Sequence, residues 1–348
     1  MENELKQRIE GLLKNSDMSH ESALEVLRAI VLEEDYRTGY FRESVNLHEE
    51  LANRLELLKK GTPKVQDFTT GFPQFDEKFG GFNKGELIVL GGRPGMGKTR
   101  LLVHFAQVIG EKKKVVFYSL EQNLRQLVDR FICSLGGYRM YALSKSNISN
   151  EQAEELEKSL VGKVPGNVII NDSSVVSIGS LKAHIIDSIV KSGAELIILD
   201  YIQLIGGLRY RQNREIEMSM LCRELKNIAR NYNVCIVIAS QLSRGVEMRG
   251  GDKRPMLADL RDSGAIEQDA DKVLLLYSAQ YYGIDADEEG NSTDNINTII
   301  IAKNRNGPIG DFNIEVEPGT GACIPKDDEF KNFNNDLRGL LGEDWAPF

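Results

Sequence analysis

The sequence predicts an α/β chain built on a mostly parallel sheet with helices on both faces, preceded by a short all-helical region. Three observations predict this. Apolar runs rich in Val and Ile recur at residues 87–90, 115–120, 168–170, 196–199, 234–239, 273–276 and 298–302. Helical patterns lie between several of them, at 124–135, 178–190 and 215–232. The runs carry apolar residues on both faces, as strands buried between two helical layers do.

Taken in order, the first sixty residues read as short amphipathic helices. Leu5, Ile9, Leu12 and Leu13 repeat at helical spacing, as do Leu24, Leu27, Ile30 and Val31. A third stripe carries Leu47, Leu51, Leu55 and Leu58, and Gly61, Thr62 and Pro63 end it. Such helices make a thin core, so their stripes need another surface, either the chain's own main domain or a neighbouring subunit. The expected division is a helical region over 1–40, a linker helix and linker over 41–64, an α/β domain over 65–325, and a flexible acidic tail over 326–348 ending in Gly-Glu-Asp-Trp-Ala-Pro-Phe. Within the α/β domain, residues 206–214 form a Gly- and Arg-bearing loop, and 285–295 read as a mobile, acidic surface loop.

Composition limits the function classes. The 348 residues allow one large domain plus an attachment, at roughly 150 residues per domain. An apolar share of 41% with 27% charged excludes a disordered or collagen-like chain. The net charge of −9 means that any nucleic-acid site is a local patch or channel on a negative surface. Cys133, Cys222, Cys235 and Cys323 form no CxxC pair, which fits a reduced compartment. His20, His48, His104 and His184 lack zinc-site spacing. No apolar run approaches the ~18 residues of a membrane span. The polar start MENELKQRIE is no secretory signal, so the expected location is cytoplasmic.

The strongest chemical signal is GRPGMGKT at 92–99, which fits G-x-x-x-x-G-K-[ST] between an apolar strand and a helix. Glycines let such a loop wrap phosphates with inward-pointing N–H groups, and the helix N-terminus adds partial positive charge. The expected nucleotide cradle is Gly92, Arg93, Pro94, Gly95, Met96, Gly97, Lys98, Thr99 and Arg100. Lys98 would neutralise β- and γ-phosphate charge, and Thr99 would ligate Mg²⁺. Asp200, closing the run LIILD, sits where open α/β sheets bind ligands, and is expected to hold Mg²⁺ through water. Glu121 ends another strand at the same sheet edge. It either orients a water for in-line attack or caps the helix that follows, and spacing alone favours neither.

Several strings together resemble the C-terminal motor domain of DnaB-type replicative DNA helicases, with a RecA-like P-loop fold. They are TGFPQFDEKFGG (70–81), GRPGMGKT (92–99), FYSLEQ (117–122), LIILDYIQLI (196–205), ASQLSR (239–244), KRPMLADLRDSGAIEQDAD (253–271) and IAKNRNGPIG (301–310), in the family's order. The resemblance covers about 65–325 and implies ATP hydrolysis with Mg²⁺. Glu121 matches the family's catalytic glutamate, and Gln241 the glutamine that senses the γ-phosphate. Lys303 and Arg305 match the pair that reaches the neighbouring subunit's nucleotide. Arg261, Asp262 and Gly264 match the loop that touches the DNA backbone, although the family commonly has Glu where Asp262 stands. Backbone contacts of this kind give little sequence preference and strong salt dependence. A second loop, with Arg209, Tyr210 and Arg211, either lines the same channel or lies on the surface.

The resemblance further implies a homo-oligomeric ring, a hexamer, translocating 5′ to 3′ on single-stranded DNA and opening forked DNA, with a loader or primase as further partner. About forty residues precede the linker helix here, where the family carries a helical domain of about one hundred, a size that can fold alone. The expected N-terminal region is therefore a reduced one. Two other classes compete: a RecA-like recombinase or regulatory ATPase, and an adaptor ring that holds DNA without unwinding it. The Lys303–Arg305 pair and the DLRDSGAIEQDAD string favour the helicase over the first. The complete set Gly97, Lys98, Thr99, Glu121, Asp200 and Arg305 speaks against the second.

Overall fold

A computed structural model describes residues 46–59, 66–144, 148–173, 177–200, 214–249, 253–260, 267–287 and 289–326. The expectations for 1–40, the loop with Arg209, Tyr210 and Arg211, the loop with Arg261, Asp262 and Gly264, and the tail beyond Lys326 fall outside the described residues. The chain divides into two compact units, residues 1–60 and 61–348. In the first, α1 (Leu47–Lys59) opens with Glu49 and Glu50 and ends on Lys59, charges that suit the helix dipole. Its leucine stripe, Leu47, Leu51, Leu55 and Leu58, is exposed throughout.

The second unit is one nine-stranded sheet in the order β3-β2-β4-β5-β1-β6-β7-β8-β9. Its strands are β1 (Leu87–Gly92), β2 (Val115–Ser119), β3 (Val168–Asn171), β4 (Leu196–Asp200), β5 (Cys235–Gln241), β6 (Lys272–Tyr277), β7 (Ile296–Asn304), β8 (Gly310–Val316) and β9 (Cys323–Pro325). The first six in the order pair in parallel, and β7, β8 and β9 add an antiparallel extension. Strands β1, β2, β4 and β6 are buried at every residue, which explains their uninterrupted apolar runs. Seven strands were legible as such runs. β8 and β9 were not, because β8 alternates, burying Phe312, Ile314 and Val316 while Asp311 and Glu315 face outward.

Helices cover both faces. On one lie α2 (Pro73–Phe79), α3 (Lys98–Gly110) and α4 (Leu124–Gly136). Here Phe72, Phe75, Phe79 and Phe82, from the string at 70–81 and just beyond, pack with Phe105 and Phe312 at ring-centroid distances of 4.9–6.3 Å. Two short helices, α5 (Met140–Ser144) and α6 (Asn150–Leu160), follow α4. The opposite face is covered by α7 (Ile178–Ser192) and α8 (Arg214–Tyr232), which bury Leu181, Ile185, Leu221, Leu225 and Ile228 against the sheet. A further short helix, α9 (Gly245–Met248), follows β5. All four cysteines are buried and unbridged. Within the stretch 285–295, Ala286 bridges Ser292, and the Asp287 carboxylate accepts N–H bonds from Glu289 and Asn291.

Candidate functional site

The parallel strands carry their C-terminal ends to one edge, and the site is built there. β1 runs into the loop through Gly91, where an added Cβ would stand 2.8 Å from Leu275. Gly97, at φ 99°, turns the chain into α3 without a side-chain cap, so the first N–H groups of the helix stay open to an anion. Met96 is buried beneath the loop, where its carbonyl accepts a bond from Asn297 Nδ2 at 3.2 Å.

The ends of β2, β4 and β5 meet the loop around a cavity of about 360 Å³ that brings together Lys98, Thr99, Glu121, Asp200 and Gln241. The Thr99 hydroxyl donates to Asp200 Oδ2 at 2.6 Å. Lys98 folds back onto the loop and donates to the carbonyls of Gly92 (2.8 Å) and Arg93 (3.2 Å). Burial lowers the Lys98 pKa to about 8, against the attraction of Asp200 and Glu121. Burial also holds the Asp200 carboxyl above its ordinary value, against the Thr99 bond. Two oxygens of hard-donor type thus stand side by side, which fits Mg²⁺.

Glu121 follows β2, whose last residue, Ser119, pairs with Asp200 in register, and the Leu120 N–H donates to the Asp200 carbonyl at 2.7 Å. The helix after Glu121 is capped by Asn123, whose side chain accepts the Gln126 N–H while Gln126 reciprocates. Capping is therefore not the role of Glu121. Gln241 closes β5 beside the loop and is half-buried, as a strand-end amide facing the cavity.

Three members of the expected cradle are placed otherwise. Gly92 and Arg93 offer their carbonyls to Lys98, and Met96 anchors the loop from below; none of the three lines this cavity, although Met96 lines the adjoining one of about 540 Å³. The Arg93 guanidinium is buried and turned away, bonded to Glu247 Oε1 and the Leu242 carbonyl, each at 2.8 Å. Conversely, Arg130 and Gln122 line the cavity and were missed in the sequence. Arg130 Nε donates to Gln122 Oε1 at 2.8 Å, and Ser119 Oγ to the Gln122 carbonyl at 2.6 Å, which fixes the residue next to Glu121. An arginine inside an amphipathic helix has no local signal that separates it from a solvated one.

Lys303 and Arg305 are not brought to this cavity. β7 is antiparallel to β6, so it starts near the loop, at Asn297, and ends at the opposite sheet edge. The six steps from Asn297 to Lys303 span about 20 Å at about 3.4 Å per residue. The register skips Ala302, pairing Ile301 with Leu274 and Lys303 with Val273, and a bulge of this kind re-aims the side chains beyond it. Both cations rest there on the carbonyls of Glu267 and Gln268.

A doubly covered parallel sheet with this loop, lysine, threonine and strand-end aspartate defines a P-loop nucleotide-binding domain. Residues 67–321 match the DnaB-like helicase C terminal domain, and the chain belongs to that family. It is 36% identical over 276 residues to the replicative DNA helicase DnaC of Bacillus subtilis (strain 168), and 35% identical over 276 residues to the replicative DNA helicase DnaB of Geobacillus stearothermophilus. Each alignment covers 78% of this chain and 60% of the relative, so the chain spans about three fifths of the length of these relatives. A DnaB-like replicative helicase solved for its interactions with primase aligns over 93% of this chain and 76% of its own, with a TM-score of 0.74 and 25% identity. A second solved structure, an ATPase domain, aligns over 82% of this chain and all of its own, with a TM-score of 0.73 and 28% identity. Among the described residues, no helix is long and apolar enough to cross a membrane.

Proposed function

We propose that this chain is the motor of an ATP-driven DNA helicase that assembles as a homo-oligomeric ring, a hexamer, translocates 5′ to 3′ on single-stranded DNA and opens a replication fork. The observation that carries the reading is the division of one catalytic set between opposite edges of the sheet. Lys98, Thr99, Glu121, Asp200 and Gln241 share one cavity, while Lys303 and Arg305 stand about 20 Å away at the other edge. A chain so built completes no site alone, and copies packed edge to edge complete one at each seam.

In this reading Lys98 leaves the Gly92 and Arg93 carbonyls for the β- and γ-phosphates, which raise its proton affinity again. The open N–H groups at the start of α3 hold the phosphates, and the adjoining cavity of about 540 Å³, which shares Gly95, Arg100 and Arg130, takes the nucleoside. Thr99 and Asp200 hold Mg²⁺, which when bound supplies charge neutralisation on the phosphate oxygens. Glu121 orients the attacking water and accepts its proton. Arg305 of the adjacent subunit stabilises charge developing on the transferred phosphoryl group, with Lys303 beside it. Gln241 follows the state of the γ-phosphate.

DNA contact falls to Arg261, Asp262 and Gly264, whose loop follows Leu260; Leu260 bridges Leu242, next to Gln241. The leucine stripe of α1 is a surface for the neighbouring subunit. A loader or primase is a further partner, and the place of action is the cytoplasm. The testing experiment is an unwinding assay on forked DNA with ATP and Mg²⁺, together with ATP turnover with and without single-stranded DNA. Strand separation with DNA-stimulated turnover supports the reading. DNA-stimulated turnover without strand separation favours the recombinase or switch class, and DNA binding without turnover the adaptor ring.

A further inference from the structure

The carboxylate of Asp271 lies at the sheet edge opposite the nucleotide cavity, just before β6, and is almost fully buried. Its two oxygens have different tasks. Oδ2 accepts the Leu87 N–H at 2.8 Å and the Lys226 ammonium at 2.5 Å, which ties the start of β1 to α8 and neutralises the buried charge. Oδ1 faces Arg305, whose Nη1 stands 3.5 Å away. The Asp271 carbonyl also accepts the Arg305 N–H at 2.9 Å, so the residue grips both the backbone and the side chain of Arg305. A further guanidinium contact is to the Gln268 carbonyl, three residues before Asp271. The side chain of Arg305 is nevertheless 43% exposed, so it is not sealed into the fold by these contacts.

We infer that Asp271 is the positioning residue for Arg305, holding the guanidinium in the orientation from which it reaches the nucleotide of the adjacent subunit. The inference rests on the reading of Arg305 given above. Two physical points carry it. An arginine has many rotamers, and one that must act on a transient charge across an interface loses rate if it is not aimed beforehand. Lys226 already neutralises Asp271, so Arg305 is not needed to make burial of the carboxylate tolerable. The contact through Oδ1, at the long limit of a hydrogen bond, orients the guanidinium without locking it.

A purely structural Asp271, joining only Leu87 to Lys226, makes different predictions from one that aims Arg305, and mixed assemblies separate the two. In the full chain, Asp271→Asn should lower kcat for ATP by about 10- to 100-fold, as small misplacement of a catalytic group does, with KM for ATP unchanged. In an Arg305→Ala background the same change should add no further loss. Mixing Asp271→Asn with Glu121→Ala subunits should restore turnover, because the Glu121→Ala subunit lends an intact Asp271–Arg305 pair to a neighbour whose cavity is intact. Thermal unfolding reports whether the fold survives. If Asp271→Asn alone unfolds because Lys226 is left without its counter-charge, the double variant Asp271→Asn/Lys226→Met carries the same three measurements. Wild-type kcat in Asp271→Asn, an added loss in the Arg305→Ala background, or failure of the mixture where Arg305→Ala with Glu121→Ala succeeds would each overturn the inference alone. Full turnover in Arg305→Ala would overturn the underlying reading, and the inference with it.

Discussion

The Thr99 hydroxyl, in the first turn of α3, and the Asp200 carboxylate, at the end of β4, meet at 2.6 Å, although β5 stands between β4 and the strand β1 that leads to α3. β4 ends at Asp200, level with Ala239 of β5 and Leu90 of β1, while β1 and β5 run two residues further to Gly92 and Gln241, so the bond depends on the relative register of the three strands. Asp200→Asn keeps an oxygen for Thr99 and removes the charge. The Mg²⁺ concentration that half-saturates ATP turnover should rise about 10- to 100-fold, as when an outer-shell metal partner is lost. A Mg²⁺ titration checks this, and an unchanged midpoint would count against Asp200 as the metal-side carboxylate.

Lys98 carries a pH signature. With its pKa lowered to about 8 by burial, Lys98 in the empty site has lost half its charge at about pH 8 and most of it by about pH 9. Bound phosphates restore the charge, so binding above that pH takes up a proton. Affinity for ATP should therefore be greatest at and below pH 7 and fall about tenfold by pH 9. Calorimetric titration in buffers of different ionisation enthalpy reads the proton uptake directly. Equal affinity and no uptake at pH 9 would contradict the assignment.

A second titration concerns stability. His104 stacks on Phe72 at 4.3 Å, bonds the Thr70 carbonyl at 3.0 Å, and burial lowers its pKa to about 4. Burial raises Asp76, which accepts bonds from the same Thr70, to about 6. The signs oppose. Stability from neutral His104 is fully present above its unfolded value near 6.5 and is lost as pH falls through about 4; stability from protonated Asp76 is full below 3.8 and is lost as pH rises through about 6. Wild-type stability should change little across this window. Removing the histidine as His104→Leu should tilt the balance toward acid by roughly 3 kcal/mol between pH 7 and pH 4. Urea unfolding at the two pH values measures it, and parallel curves for variant and wild type would refute it.

Arg261→Ala should weaken single-strand binding at low salt and reduce the slope of log K against log salt by about 0.7, the loss of one phosphate contact. Fluorescence anisotropy over a salt series supplies the slope, and an unaltered slope would remove Arg261 from the DNA path.

Much of the catalytic edge was legible because its signals are local. Gly97, Lys98 and Thr99 belong to the loop and helix start that follow an apolar strand, Asp200 closes another, and Glu121 stands two residues past the end of a third. What was not legible depends on distant partners. Arg93 reads as a loop cation beside the phosphates, yet its guanidinium is claimed by Glu247, 154 residues away. Arg130 reads as part of a solvated helix face until α4 folds over the cavity. Helix α6 buries no residue fully and its apolar stripe is short, Ala153, Leu156 and Leu160, though its start was available in the capping pattern Ser149-x-x-Gln152. Strand β9 has only three residues and exists through pairing with β8.

The central claim is that ATP is cleaved between subunits, one giving the cavity and the next giving Arg305. The most direct measurement mixes Arg305→Ala with Glu121→Ala subunits and follows ATP turnover against their ratio. Each variant alone should bind nucleotide and turn over roughly 10³-fold more slowly or worse, as when an arginine supplied in trans is lost. Mixtures should regain turnover with a maximum near equal proportions, where a Glu121→Ala subunit lends its arginine to an intact cavity. Turnover that stays at the level of the separate variants at every ratio, with mixed assembly verified, would contradict the claim.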